Sequence, residues 1–511
     1  EKEAASHQPN QLSDFICDSK DRVHPLIESL KKSLDTLLLF TQNVVHVCVE
    51  ELLGNDSDIE NIMSVSVKRV LQMPRSISLV PNEADFTTER NLLKATTACI
   101  KNSSGPVPET TMLLRVARKT RESDETQQAK DCYFITSSCM AGGESLKLAC
   151  TPEGQKAGVL PCGGVAAQLS AAEGGCLVPV KGSAFSYLPL NVLTGLPFHV
   201  NGNFLLQPNR RQLWGKSSSG AEEFEARWNT CFMQTVLCSA LLNLLHDLHQ
   251  LQEQNVVDAR SFQSLWPKRN GCDSNFHPLV DAYYNTIGRE NNVPAVIFSQ
   301  SSWVTVHECF FTEWRPTDPD SLRASVKALL AKHQDPKRWV ELEPDVISSI
   351  SQAGANRYFD DNTFGIERFL REVFFPALSD CQHIEPEHQK RIVLHVLDLR
   401  LGERQITDYD SELKTTKCIP ASPNGDKLVR PDQLINPSTL PGSLYNEEDG
   451  RFPCGSEYRN DARLLSLTQL GMASDDLSWE DICERAESIL RGSQSIHRST
   501  TLLKLIGLKL K

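Results

Sequence analysis

Residues 228–251 carry the strongest folding constraint in the chain. Trp228, Phe232, Val236, Ala240, Leu244 and Leu248 recur every four residues, and Leu237, Leu241 and Leu245 widen the stripe. That spacing predicts a helix with one broad apolar face turned to a core. The segments before it read differently. Val44-Val45-His46-Val47-Cys48-Val49 is a β-branched run and predicts a strand. Residues 184–190 form a short apolar strand, and Gly163-Gly164 and Gly174-Gly175 read as turns. Phe198-His199-Val200, Asn201-Gly202 and Asn203-Phe204-Leu205-Leu206 read as a tight hairpin, because Asn-Gly supplies the positive φ angles of a type I′ turn.

Outside this block the pattern stays mixed. Leu26, Leu30, Leu34, Leu37 and Leu38 predict a helix over 25–40, with Pro25 in its first turn. Residues 54–130 alternate strand-like runs, such as Ile77-Ser78-Leu79-Val80, with polar stretches; the polar run 118–130 reads as an exposed loop. Two strands are expected near 294–298 and 303–306, a helix over 364–378, and an apolar run at 391–397 after the break at Pro386. Residues 420–455 are rich in Pro, Gly and Asp and read as an ordered, loop-dense segment. Ser478 caps a helix over 478–490, with Glu480 and Asp481 in its positive first turn. The fold class is α+β, with mixed sheets and helices rather than a regular βαβ alternation.

With 511 residues the chain exceeds one hydrophobic core. Its net charge of −12 disfavours nucleic acid, whose phosphates it would repel. No run reaches the roughly 18 consecutive apolar residues that a membrane span needs, so no membrane insertion is expected. The N-terminus is polar, lacks a signal peptide's apolar core and has no initiator Met, so the chain reads as an excised fragment. Sixteen cysteines are scattered from Cys17 to Cys483, many in apolar runs such as those around Cys48, Cys231 and Cys238. They read as buried thiols of a reduced, cytoplasmic protein, which would leave the sequons at Asn55 and Asn102 silent. No C-x-x-C pair exists to begin a zinc site, and no metal is expected.

Candidate chemistry is sparse. Gly215-Lys216-Ser217 echoes a phosphate-binding loop, but Arg210 stands where its first Gly belongs, so 216–220 reads as a surface loop. His246 and His249 are spaced i and i+3 beside Asp247, not i and i+4 beside a Glu as in zinc proteases. No G-x-S-x-G elbow supports a hydrolase. What remains is His199, Asn201 and Asn203, followed by Arg210-Arg211 just before Leu213-Trp214. On residue types alone these are a hairpin with exposed arginines.

A longer pattern changes the weight of that block. Phe185-Ser186-Tyr187-Leu188-Pro189-Leu190, then Thr194-Gly195-Leu196-Pro197-Phe198-His199-Val200-Asn201-Gly202-Asn203-Phe204, then Arg210-Arg211-Gln212-Leu213-Trp214 resembles the signature of the large internal repeats of the sacsin family. Asn191 departs from it, where the family has Pro. Residues 35–51 are similar to the family's helix–strand junction after its ATPase domain. Pro161-Cys162-Gly163-Gly164-Val165-Ala166 is similar to the strand-turn before the signature, and Trp228-Asn229 opens the next helix, as in the family. Cys418-Ile419-Pro420, Glu448-Asp449-Gly450-Arg451-Phe452-Pro453 and Trp479-Glu480-Asp481 resemble the distal part of the repeat. The resemblance runs over about 15–491.

The resemblance implies a division into 1–55, the tail of a preceding GHKL-type ATPase domain; 56–266, a middle domain like that of the ninety-kilodalton heat-shock chaperone; 267–400, a second α+β segment; and 401–511, a loop-rich and helical segment. It implies a chaperone or scaffold in protein quality control and cytoskeletal organisation. Client proteins, heat-shock chaperones and intermediate filaments are the implied partners. ATP and Mg²⁺ would belong to the preceding domain, because D-x-G-x-G and a Gly-rich lid are absent from 1–511. This chain is therefore expected to hold no cofactor and to be no enzyme by itself. Arg210 takes the place of the middle-domain Arg that reaches the γ-phosphate in related chaperones, with Arg211 as the fallback, and His199 and Asn201 are binding candidates. A spacer repeat without chaperone activity is the alternative.

Overall fold

The computed structural model describes residues 20–41, 44–53, 58–72, 96–97, 100, 109–121, 127–140, 142–171, 174–208, 212–215, 223–289, 297–299, 302–314, 319–333, 338–379, 384–401, 407–491 and 496–510. Arg210, Arg211, both sequons, the 77–80 run and the 216–220 loop lie outside them. The chain divides into two compact units, 1–311 with 342–362, and 312–341 with 363–511. The class is α+β.

The first unit is built on one large sheet. Its strands are β1 (His46–Leu53), β2 (Asp58–Gln72), β3 (Glu109–Arg121), β4 (Gln127–Met140), β5 (Cys162–Leu169), β6 (Gly175–Val178), β7 (Ser183–Ser186), β8 (Leu188–Leu193), β9 (His199–Gly202) and β10 (Val257–Asp258). The main path runs β1-β2-β3-β4-β5-β9-β7-β8, while β6 joins β5 to β10. Pairings are antiparallel except β7 with β9 and β6 with β10.

Each face of the sheet takes a different cover, as period-2 alternation dictates. On one face Met63, Val65, Met112, Leu114, Val116, Cys132 and Phe134 bury against Leu34, Leu38, Leu39 and Phe40. These four follow helix α1 (Lys20–Ser33). The helix ends earlier than its leucine spacing predicts. The Ser33 hydroxyl donates to the Leu30 carbonyl, and tight turns from Ser33 to Thr36 and from Thr36 to Leu39 replace helix up to residue 40. Pro25 sits inside the helix rather than in its first turn.

Against the other face lies helix α4 (Phe224–Glu253), which follows two short helices, α2 (Gly143–Cys150) and α3 (Pro152–Ala157). The predicted stripe is buried as expected, from Trp228 through Leu251. Met233–Leu237 is a turn of π-helix that the spacing did not announce. By length and apolar content α4 alone among the described helices could cross a bilayer, but two-thirds of its most apolar window is buried inside the protein. After it come helix α5 (His277–Arg289) and the paired strands Ile297–Ser299 and Ser302–Val304, close to where strands were expected.

Three further sequence expectations fail within the sheet. Residues 118–121 and 127–130 are not a loop; they are the ends of β3 and β4, a long hairpin whose polar alternation belongs to a half-solvated sheet. Gly163 and Gly164 lie inside β5 rather than in a turn. Asn201-Gly202 is no hairpin turn: both residues belong to β9, which pairs with β5 on one side and β7 on the other. Glycine is required there by contact, not by φ. A Cβ on Gly202 would fall 2.3 Å from Phe232 Cε1, and one on Gly163 would fall 2.7 Å from Phe232 Cζ.

In the second unit, helix Asp320–His333 packs on Pro386–Leu401, which grows from the expected apolar run. Arg463 donates two bonds of 2.7 Å to Asp398, tying Asp461–Gln469 to it. The helix expected over 364–378 spans 366–379. Loop-dense 420–455 is ordered by short strands and 3₁₀ turns, and its Tyr445 and Phe452 share a core with Ile482, Leu502 and Leu505. The Ser478 hydroxyl accepts from Asp481 N–H at 2.9 Å and caps Trp479–Arg491 as predicted.

Candidate functional site

The signature block folds as a set of polar pins inside an apolar layer. His199 is 6% exposed. Its Nδ1 accepts the Ser183 backbone N–H at 3.2 Å, and its ring meets Phe185 edge-on at 5.7 Å and Phe134 at 6.2 Å. Burial among those rings pushes the imidazole down to about 4, from its usual 6.5. At neutral pH it is an uncharged acceptor that orders the approach to β7.

Asn201 holds a second point. Its Oδ1 accepts the Tyr187 N–H at 2.8 Å. Tyr187 has φ of +61°, a strained conformation for a bulky aromatic, and it forms the sharp bend between β7 and β8. Asn203 Oδ1 accepts from Leu160 N–H at 3.3 Å, and Trp228 Nε1 donates to the Asn203 carbonyl at 2.9 Å.

The base of the 207–212 loop is pinned in the same way. Leu206 bridges Leu213, Gln207 N–H donates to the Gln212 carbonyl, and Trp214 N–H donates to the Leu205 carbonyl. The buried Asn229, next to Trp228 on α4, clamps both arms. Its Oδ1 accepts from Leu205 N–H at 2.9 Å, and its Nδ2 donates to the Leu205 and Trp214 carbonyls at 2.8 and 3.0 Å. Arg210 and Arg211 fall between these arms in the sequence, outside the described residues.

Beside the loop base opens a cavity of about 400 Å³. Trp214, Asn229, Arg269, His277 and Asp281 line it. Arg269 donates to the Gln352 carbonyl at 2.9 Å and contacts His277 Nδ1 at 3.2 Å and Asp281 at 3.4 Å. A guanidinium can only donate, so His277 Nδ1 accepts and the ring proton sits on Nε2. Burial raises the Asp281 carboxyl, while the Arg269 charge pulls it back. Sequence reasoning passed over this trio. The i, i+4 placement of His277 and Asp281 on α5 was its only trace.

His246 and His249 do not form a metal pair. Their rings lie 6.4 Å apart, and His249 stacks on Trp303 at 4.6 Å. Among the described residues no group of three or more His, Cys, Asp and Glu side chains could hold a metal. Cys17, Cys99 and Cys381 lie outside the described residues; the other thirteen cysteines are free thiols, and seven of them, including Cys231 and Cys238, are buried. Cys48 is half-buried.

Over 428 residues the chain is 33% identical to human sacsin. It is a sacsin-like protein. The matched region is 80% of this chain and 9% of sacsin, so the chain spans a small part of that relative's length. No family model and no solved structure matches the sacsin-like chain. The chain is a sacsin-like repeat region, and within it His199 and Asn201 of the signature tie β9 to the approach and the bend of β7.

Proposed function

We propose that this chain is the middle-domain and repeat-core segment of a sacsin-like chaperone scaffold. It acts in protein quality control and cytoskeletal organisation in the cytoplasm, and it couples to an adjacent GHKL-type ATPase domain. The 33% identity to sacsin across most of the chain carries the reading. The two-armed clamp of Asn229 supports the coupling part, because it fixes the base of the loop that bears Arg210 and Arg211. A loop that presents an Arg to a phosphate needs such a base, since positioning is most of what phosphoryl transfer asks of the protein. ATP and Mg²⁺ belong to the preceding domain, and this chain turns over nothing alone. Client proteins, heat-shock chaperones and intermediate filaments are its partners.

Two measurements test this. The chain alone, at modest molar ratio, should suppress aggregation of a heat-denatured model enzyme; no protection favours the spacer reading. In a protein joined to its preceding ATPase domain, Arg210→Ala should cut turnover at least about tenfold with nucleotide affinity nearly unchanged, the mark of an interaction made in the transition state. Equal effects of Arg210→Ala and of Arg227→Ala, an exposed position on α4, would remove the assignment.

A further inference from the structure

At the β1–β4 end of the sheet one face lies under the segment that follows α1, and on the other the stretch of β2, β3 and β4 beyond α4 has no cover among the described residues. On the bare face the cross-strand register places Ser64 beside Lys119 and Ala129, and Ser66 beside Ala117 and Asp131. These positions, with His46 on β1 and Arg115 on β3, line a groove of about 570 Å³. Its floor is serine and alanine, so a bound chain can approach the sheet closely. On this face the lining carries Arg115 and Lys119 against a single carboxylate, Asp131, while Arg118 and Lys130 alternate toward the α1 side. Arg115 neutralises that carboxylate at 2.6 Å. Arg118 and Lys130 are occupied by Asp35 at 3.0 and 3.4 Å. Lys119 is left exposed, and so is Lys68, which the register sets opposite Arg115; neither has an ion-pair partner among the described residues.

This concentration of positive charge stands on a chain of net charge −12. We propose that the groove is a docking surface for an acidic, extended peptide segment. Its carboxylates would meet Lys119, Lys68 and the outer edge of Arg115. Its backbone would lie over the Ser64, Ser66, Ala117 and Ala129 floor, where hydroxyls supply hydrogen bonds. Nucleic acid fits less well, because the described lining has no Trp, Tyr or Phe to stack a base and the whole chain repels phosphates.

Fluorescence anisotropy of a short labelled Glu/Ala peptide with the full chain tests this, beside a matched Lys/Ala peptide and a single-stranded oligonucleotide. The acidic peptide should bind and the basic one should not. Affinity should fall as salt is raised. Lys68→Glu with Lys119→Glu should weaken binding at least about tenfold, whereas Lys427→Glu, on an exposed hairpin of the second unit, should not. Ala117→Leu, which fills the floor without changing charge, should weaken binding while the melting temperature stays put. Absent acidic binding, a charge-reversed variant that binds like the parent, an unaffected Ala117→Leu, or an oligonucleotide that binds as well as the peptide would each overturn the proposal.

Discussion

On the α4 side of the sheet, β5 and β9 carry Gly163 and Gly202 beneath the Phe232 ring, whereas β2, β3 and β4 carry Ser66, Ala117, Lys119 and Asp131 around a groove. The strands belong to one continuous sheet and obey the same alternation, yet their residues answer to different neighbours. Where α4 covers the sheet, a residue is chosen for the space it leaves, and the buried Asn229 of the helix spends its amide on both loop arms. Beyond the helix the same face is chosen for water and charge. The change is visible along β3, where Leu113 is buried and Arg115, two residues on, is exposed.

The sharpest way to break this contrast is Gly202→Val. The added Cβ alone falls 2.3–2.4 Å from two Phe232 ring carbons, and the ring is fully buried. We expect a loss of about 4 kcal/mol, above the usual overpacking cost because three carbons enter a filled layer. Gly202→Asn separates the mechanisms. A turn with positive φ would tolerate Asn, but a strand pressed on Phe232 will not. Phe232→Leu should recover part of the Gly202→Val loss in a double-mutant cycle. Urea unfolding of the four proteins measures it, and strictly additive losses would show that the ring is not the obstacle.

Those failures mark what the chain's letters could convey. Helix α4, the strand near Val47, the pair around Phe298 and Trp303, and the Ser478 cap were legible because each depends on local spacing or one capping oxygen. Asn201-Gly202 misled because the dipeptide has two uses, a left-handed turn and a flat strand under an aromatic ring. Only the position of Phe232, thirty residues on, tells them apart. The 118–130 stretch misled because a solvated face and a loop share a composition. Of the candidate site, the signature marked the block by its order of residues, and the pins that hold it follow from pairings between β9, β7 and α4 that no local pattern encodes. The cavity trio of Arg269, His277 and Asp281 needed α5 folded against the 269–273 turn.

A second test reads the buried pin by acid. The unfolded imidazole titrates near 6.5 and the folded His199 near 4. Above pH 6.5 both forms are neutral and the contribution of the site is fully present. Between pH 6.5 and 4 the unfolded chain binds a proton that the folded chain refuses, so stability falls as pH falls, by about 3 kcal/mol over the window. His199→Gln keeps an acceptor for Ser183 N–H but cannot titrate. Urea midpoints followed from pH 7.5 to 4.5 should therefore show a shallower acid slope in the variant, by about one proton. Parallel slopes would mean that the covered region tolerates a charge at His199 and is less dry than its packing requires.

The smallest expected effect bears on the open end of the sheet. Ser66→Ala and Lys119→Ala remove polar groups from the groove without opening a cavity, because neither side chain is enclosed. Nothing buried loses a partner: no ion pair to Lys119 and no hydrogen bond to the Ser66 hydroxyl joins them to other described residues. Each should change stability by less than about 0.5 kcal/mol, the range of substitutions at solvated positions. Differential scanning of both variants against the parent is sufficient. A loss of about 2 kcal/mol or more at either position would mean that the groove is filled in the free protein by another part of the chain, and the two ends of the sheet would then differ in what covers them rather than in whether they are covered.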